Sequence, residues 1–167
     1  DEKDPARVAA RCAAALAAAP LKISGRYRTQ VQTHSPLETH GLVVEWTAPD
    51  ELTVWASTQG IYSVADELAE VFGLGKSRVH VHGEFCGGGF GAKFGAGNYG
   101  VLAAHLAKKA RAPVRLFLTR REQHEGVGNR PSSLQDVSIG AERDGRITAI
   151  QVKGYGGGGA GAGAGFA

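Results

Sequence analysis

Apolar positions along the chain change spacing several times, and each change predicts an element. Asp4 and Pro5 ahead of an alanine-rich run predict an N-cap, a first-turn proline and a soluble helix. Pro20 and Gly25 then punctuate a switch to extended segments. Alternation predicts strands over residues 25–34 and 42–47, and over Leu52-Thr-Val-Trp-Ala56 after the turn signal Pro49-Asp50. Ile61, Val64, Leu68 and Phe72 fall at helical spacing, and Gly73 closes that helix. Residues 79–82 form a short strand, a glycine-rich loop covers 83–97, and a helix of Ala, Leu and Lys covers 98–110.

Residues 113–118 predict another strand, and Thr119-Arg-Arg-Glu122 carries the pattern of a capping box. Residues 134–139 and 147–152 bracket Arg143-Asp144-Gly145, a hairpin signal. This order mixes helices and strands without a regular βα repeat, so the expected class is α+β with mixed sheets and helices. Three divisions are expected: an N-terminal helix and linker (1–24), a main domain (25–153) and a Gly/Ala-rich tail (154–167). The tail has little side-chain area to bury and a high ordering entropy, which favours a flexible end over close packing on a ligand.

The 167 residues suffice for one domain with a core, and are too few for two large ones. The 25 glycines stand well above the ordinary level of about 7%, so the backbone somewhere needs close approach or positive φ. The net charge of +3 comes from scattered Lys and Arg without a run of like charge, which points to neither nucleic acid nor membrane. The apolar stretch of residues 8–21 contains Arg11 and is too short and polar to span a bilayer. Cys12 and Cys86 offer neither a disulfide framework nor a zinc spacing. They leave the compartment open, with cytoplasm expected and periplasm the alternative. Methionine is absent, including at position 1, so a fragment or processed product is expected.

The segment richest in chemistry is Phe85-Cys-Gly-Gly-Gly-Phe-Gly-Ala-Lys-Phe94. Its glycines bare several main-chain N–H groups, a geometry suited to phosphate or pterin oxygens. A dinucleotide-binding turn lacks its third glycine here, and a phosphate-binding P-loop needs Ser or Thr where Phe94 stands. A purely structural glycine turn stays open on the residues alone.

Gly87-Gly-Gly-Phe-Gly-Ala-Lys93 resembles the glycine-phenylalanine-glycine segment of the large subunits of the xanthine dehydrogenase/aldehyde oxidase family. Three further stretches fall in that family's order: Val31-Gln-Thr-His-Ser-Pro-Leu-Glu-Thr-His40, Ala56-Ser-Thr-Gln59, and Pro113-Val-Arg-Leu-Phe-Leu-Thr-Arg-Arg-Glu122 with Gly128-Asn-Arg-Pro131. The resemblance runs from about residue 25 to about residue 154. It implies a molybdenum-cofactor-binding fold and oxidative hydroxylation of an aldehyde or N-heterocycle with water as oxygen source. The implied cofactor is molybdenum-molybdopterin, the cytosine dinucleotide form included. Iron–sulfur clusters and FAD are expected on partner subunits.

The resemblance also implies roles. Gln32 matches a glutamine that hydrogen-bonds a molybdenum oxo ligand without adding charge. Gly88, Gly89, Phe90, Gly91 and Ala92 match the loop against the pterin, with Phe90 beside the substrate channel. Arg130 matches an arginine that polarises substrate. Phe94 departs from the pattern: purine-oxidising members carry a glutamate there, so an apolar aldehyde or heterocycle is favoured over a purine. The family's catalytic base is a glutamate in a Gly-x-Gly-Glu-like motif far toward the C-terminus. It is expected in the remainder of the large subunit or on another chain. A non-catalytic fragment completed by another chain, or a binding module for another phosphorylated ligand, are the rival readings.

Other candidates read as structural. His34, Glu38 and His40 carry metal-ligand chemistry, but Pro36 breaks the strand that would align them, so hydrogen bonds fixing a turn are expected. His80 and His82 share a strand face without a third ligand and are expected to be partly buried. Cys86 is expected to be a small buried thiol, and Glu67 and Glu70 to be solvated.

Overall fold

A computed structural model describes residues 4–157. In chain order the elements begin α1 (Pro5–Ala18), β1 (Leu21–Thr29), β2 (Gln32–Thr33), β3 (Gly41–Ala48), β4 (Glu51–Ala56) and α2 (Ile61–Phe72). After a 3-10 turn at Lys76–Arg78 come β5 (Val79–His82), α3 (Gly97–Ala110), β6 (Val114–Phe117) and α4 (Arg120–Gly126). The chain continues through β7 (Asn129–Arg130), β8 (Ser133–Ala141) and β9 (Ile147–Gly156). The class is α+β, as the mixed order of elements implies.

The chain divides into two compact units, one of residues 33–129 and one joining residues 1–32 to 130–167. These boundaries differ from the expected divisions at 24 and 153, because β1 finds its partner far along the chain in β8. That antiparallel pairing runs from Leu21↔Ala141 to Thr29↔Ser133, so the strand expected over 25–34 begins earlier and ends earlier. Chain passage between the units coincides with β2 and β7, which pair as a two-stranded sheet.

In the unit of the chain ends, β8 lies between β1 and β9. Asp4 caps α1 by accepting from the Ala6 amide, and the helix packs on β8 and β9. Gly140 permits this approach: a Cβ there would come 2.8 Å from that of Ala19. The strand β9 includes Gly154–Gly156, paired with Gln135, Leu134 and Ser133, so the ladder overrides the low strand preference of glycine. The rest of the expected flexible tail, residues 158–167, lies outside the described residues.

The other unit holds a four-stranded mixed sheet in the order β5-β4-β3-β6. The β4–β5 pair is parallel and is connected through α2, while β3 pairs antiparallel with β4 and β6. Alternation buries Leu42 and Val44 of β3 with Leu52 and Val54 of β4. Helix α2 adds Val64 and Leu68, and α3 adds Ala103, Ala104 and Ala107. Small residues bring α3 close to the sheet, where the Trp46 indole donates to the Ala104 carbonyl at 2.9 Å. Gly73 ends α2 at φ 64°, the left-handed cap the sequence predicts.

Candidate functional site: a clasped glycine loop

The loop of residues 83–96 leaves the end of β5 and enters α3. Two other segments of the same unit hold it. The first follows β2: Glu38 accepts from the Gly87 amide at 2.6 Å and donates its own amide to the Gly87 carbonyl at 3.4 Å. The second follows β4: the Gln59 side-chain carbonyl accepts from the amides of Gly91 (3.0 Å) and Lys93 (3.3 Å). The Gln59 amide and the Thr58 hydroxyl both donate to the Lys93 carbonyl, at 2.7 and 2.9 Å.

Lys93 itself turns inward and is 0% exposed. Its Nζ donates to the Ser57 hydroxyl at 2.6 Å, the Glu38 carbonyl at 2.9 Å and the Glu38 carboxylate at 3.3 Å. A buried ammonium needs such partners, because leaving one uncompensated costs several kcal/mol, on the order of 3–5. Burial alone would push the Glu38 carboxyl up. Hydrogen bonds from Ser57, the Gly87 amide and Lys93 outweigh it and hold the group below the usual carboxylate range.

Between these anchors the backbone takes an unusual path. Gly88 and Gly91 have φ of 97° and 94°, and Phe90 has φ 54°, a left-handed conformation that disfavours a side chain by about 1–2 kcal/mol. The Ala92 amide closes a turn onto the Gly89 carbonyl at 3.0 Å. Among the described residues, the amides of Gly88, Gly89 and Phe90 find no acceptor within the protein. Three adjacent main-chain donors are therefore left for a ligand or water. The rings of Phe85, Phe90 and Phe94 are all exposed around this stretch.

His40 supports the loop from beneath. It is fully buried, its Nε2 lies 3.0 Å from the Ala92 carbonyl, and its ring packs edge-on to Tyr99. The carbonyl can only accept, so Nε2 carries the proton. Burial depresses the His40 pKa, which keeps the ring neutral, and the nearby charge of Lys93 acts in the same direction. Beside the second half of the loop lies a cavity of about 580 Å³, lined in part by Glu67, Ala92, Tyr99, Leu118 and Glu122. Burial, with the charge of Glu67, pushes the Tyr99 phenol up to about 12.

The structure brings Gly88, Gly89, Phe90, Gly91, Ala92 and Phe94 together in one loop. Gln32 and Arg130 are exposed and stand in β2 and β7, at the passages between units. Several expectations are corrected. Cys86 is exposed, because the loop carries it outward, with its sulfur 3.9 Å from the Ser57 hydroxyl. His80 and His82 are exposed on the edge strand, and His82 stacks on Trp55. Glu67 is half-buried, since it caps α3 by accepting from the amides of Ala96 and Gly97. Sequence reasoning gave no role to Lys93, Ser57 or Gln59. The signal was present in Ala56-Ser-Thr-Gln59, which entered through the resemblance alone, and in Leu37-Glu-Thr-His40, where Glu38 and His40 were expected to fix a turn.

The glycine loop is pinned at both ends, and between its anchors it presents main-chain donors that the protein itself does not use. A family model matches: the model described as molybdopterin cofactor-binding domain covers residues 2–167, and the chain belongs to that family. Relatives agree. The chain is 33% identical over 143 residues to the aldehyde oxidoreductase molybdenum-binding subunit of Escherichia coli K12, covering 86% of this chain and 19% of the relative. It is 36% identical over 142 residues to a xanthine dehydrogenase of Drosophila pseudoobscura, covering 84% and 11%. The chain thus spans a fifth or less of the length of these relatives.

Solved structures share the fold. The aldehyde oxidoreductase of Desulfovibrio gigas superposes with a TM-score of 0.74 at 22% identity, over 86% of this chain and 16% of that one. The quinoline 2-oxidoreductase of Pseudomonas putida 86 gives 0.70 at 25% identity, over 85% and 18%.

Proposed function

We propose that this chain forms a wall of the molybdopterin site in a molybdenum hydroxylase that oxidises an aldehyde or an N-heterocycle. The observation that carries the reading is the run of three unengaged amides at Gly88, Gly89 and Phe90. Those donors fit a planar ligand rich in oxygen and nitrogen acceptors, while the glycines answer to the protein's own packing, since a Cβ at Gly88 would meet Phe90 and Pro36 and one at Gly89 would meet Gln59. Because Glu38 pairs with Lys93 beneath the loop, the surface offered is dipolar rather than charged. When bound, the molybdenum-molybdopterin supplies the two-electron redox chemistry of hydroxylation, with water as the oxygen source.

The chain's own residues take the following parts. The amides of Gly88, Gly89 and Phe90 hold the pterin, with Gly91 and Ala92 completing the turn. The Phe90 ring excludes water and stacks a planar substrate. Phe94 offers an apolar surface where a purine would need an acceptor. By the resemblance, Gln32 would supply a neutral amide donor to the cofactor, and Arg130 would stabilise negative charge developing on substrate. The cytosine dinucleotide form of the pterin, a catalytic glutamate outside residues 1–167, and iron–sulfur and flavin partners complete the proposal. Among the described residues no helix is long and apolar enough to cross a membrane. The proposed compartment is the cytoplasm, with the periplasm as the alternative.

Elemental analysis of the assembled complex tests this directly. About one molybdenum per protomer is expected, and none would leave a binding module for another phosphorylated ligand ahead. Phe90→Ala is expected to change substrate selectivity while molybdenum stays bound; loss of cofactor with selectivity intact would reverse that assignment. Gln32→Ala is expected to slow turnover with molybdenum retained.

A further inference from the structure

Both ends of the bare stretch converge on one side chain. Glu38 receives the Gly87 amide at the start of the stretch and the Lys93 ammonium at its end. Its main-chain groups repeat the arrangement, since its amide reaches the Gly87 carbonyl and its carbonyl receives Lys93 Nζ. Five residues, 88–92, are thereby closed into a loop whose span is set by a carboxylate, an ammonium and the Ser57 hydroxyl. Gln59 takes the amides of Gly91 and Lys93, which limits the unengaged donors to the three before them.

We infer that Glu38 and Lys93 are positioning residues for cofactor capture, a clasp that presets the amides of Gly88, Gly89 and Phe90 before the pterin arrives. Neither side chain touches the ligand. Lys93 has no free donor direction for it, because three intramolecular acceptors surround its Nζ in a site with no solvent. The ligand then meets a loop that is already ordered, so little conformational entropy is lost on binding and dissociation is slow. A charge pair suits this role better than an apolar contact, since its bonds are directional and set distance as well as proximity.

This inference rests on the molybdopterin reading, and one experiment separates the two. The holoenzyme carrying this chain is prepared as wild type, Glu38→Gln, Lys93→Met and Ser57→Ala. A Leu68→Ala control truncates a fully buried core side chain and is expected to lower the unfolding midpoint without touching the loop's hydrogen bonds. Release of the pterin is followed by its fluorescence after acid oxidation, alongside bound molybdenum. A wild type without pterin or molybdenum overturns the molybdopterin reading itself. With a loaded wild type, Glu38→Gln and Lys93→Met are expected to release pterin at least ten-fold faster, while Leu68→Ala releases it at the wild-type rate. Release that tracks the unfolding midpoint across all variants, control included, overturns the clasp. Should the two charge variants fail to fold, Ser57→Ala decides alone: it keeps the ion pair and loses one acceptor of Lys93. A three-fold faster release is then expected, and an unchanged rate overturns the inference.

Discussion

Adding one methyl group at Gly89 offers a sharp test of how the loop is held. Gly89 is buried, and a Cβ there would overlap the side-chain carbonyl of Gln59 and lie 2.6 Å from its Cγ. Overlap at Cγ cannot be relieved by turning the end of the side chain, so Gln59 must leave its place. Two hydrogen bonds go with it, those accepted from Gly91 and Lys93. Each contributes roughly 0.5–1.5 kcal/mol net, and a donor left unsatisfied in a part-buried place costs about 1–3. Gly89→Ala should therefore destabilise by about 2–4 kcal/mol, equivalent to a fall in Tm on the order of 10 °C for a chain of this size. Thermal unfolding by circular dichroism reads this, with a double-mutant cycle as the check. In a Gln59→Ala background the same substitution should cost less than about 1 kcal/mol, because the obstructing side chain is gone. A Gly89→Ala protein within about 0.5 kcal/mol of wild type would refute the reasoning, since surface-like tolerance is incompatible with that contact.

Three other outcomes are expected. His40 has a folded pKa below its ordinary value, so the unfolded chain binds more protons between that lowered value and about 6.5. Stability should be full above about pH 6.5 and fall as the pH drops through that window; urea unfolding at a series of pH values should show a slope that His40→Gln flattens. Leu68→Ala removes a fully buried side chain and should cost about 2–5 kcal/mol in chemical denaturation. Thr119→Ala removes the hydroxyl that accepts from the Glu122 amide and leaves the half of the capping box in which Glu122 accepts from the Thr119 amide, and a loss of about 0.5–2 kcal/mol by the same method is expected.

Elements whose signals are local were legible in the chain. The Asp4 cap, the Gly73 terminator, the Thr119–Glu122 box and the Asp144-Gly145 turn each act within a few residues, and each is where the pattern puts it. Features made by distant partners were not. Glu38 and Lys93 are 55 positions apart, and nothing in either neighbourhood says that they meet. Glu67 looked like a solvated helix residue because its partners, the amides that open α3, lie about 30 positions on. Cys86 looked like a buried thiol on residue type alone, whereas the path of the loop decides its exposure.

The same division holds within the candidate site. The glycines announce that main-chain donors are bared, yet which donors stay free depends on Gln59, whose carbonyl claims those of Gly91 and Lys93. The strand content of Gly154–Gly156 is a further case, where pairing with β8 outweighs the composition of the segment. Gln32 and Arg130 were drawn from resemblance. Their positions on β2 and β7 place them where the chain passes between units, a location that periodicity does not encode.

Hydrogen–deuterium exchange at single-residue resolution, compared between the holoprotein and the same protein stripped of cofactor, bears most directly on what the loop does. The amides of Gly88, Gly89 and Phe90 should exchange at least ten-fold more slowly with molybdopterin bound, while those of Gly91 and Lys93, already held by Gln59, stay protected in both states. Equal exchange at residues 88–90 with and without the cofactor would contradict the claim that these donors hold it.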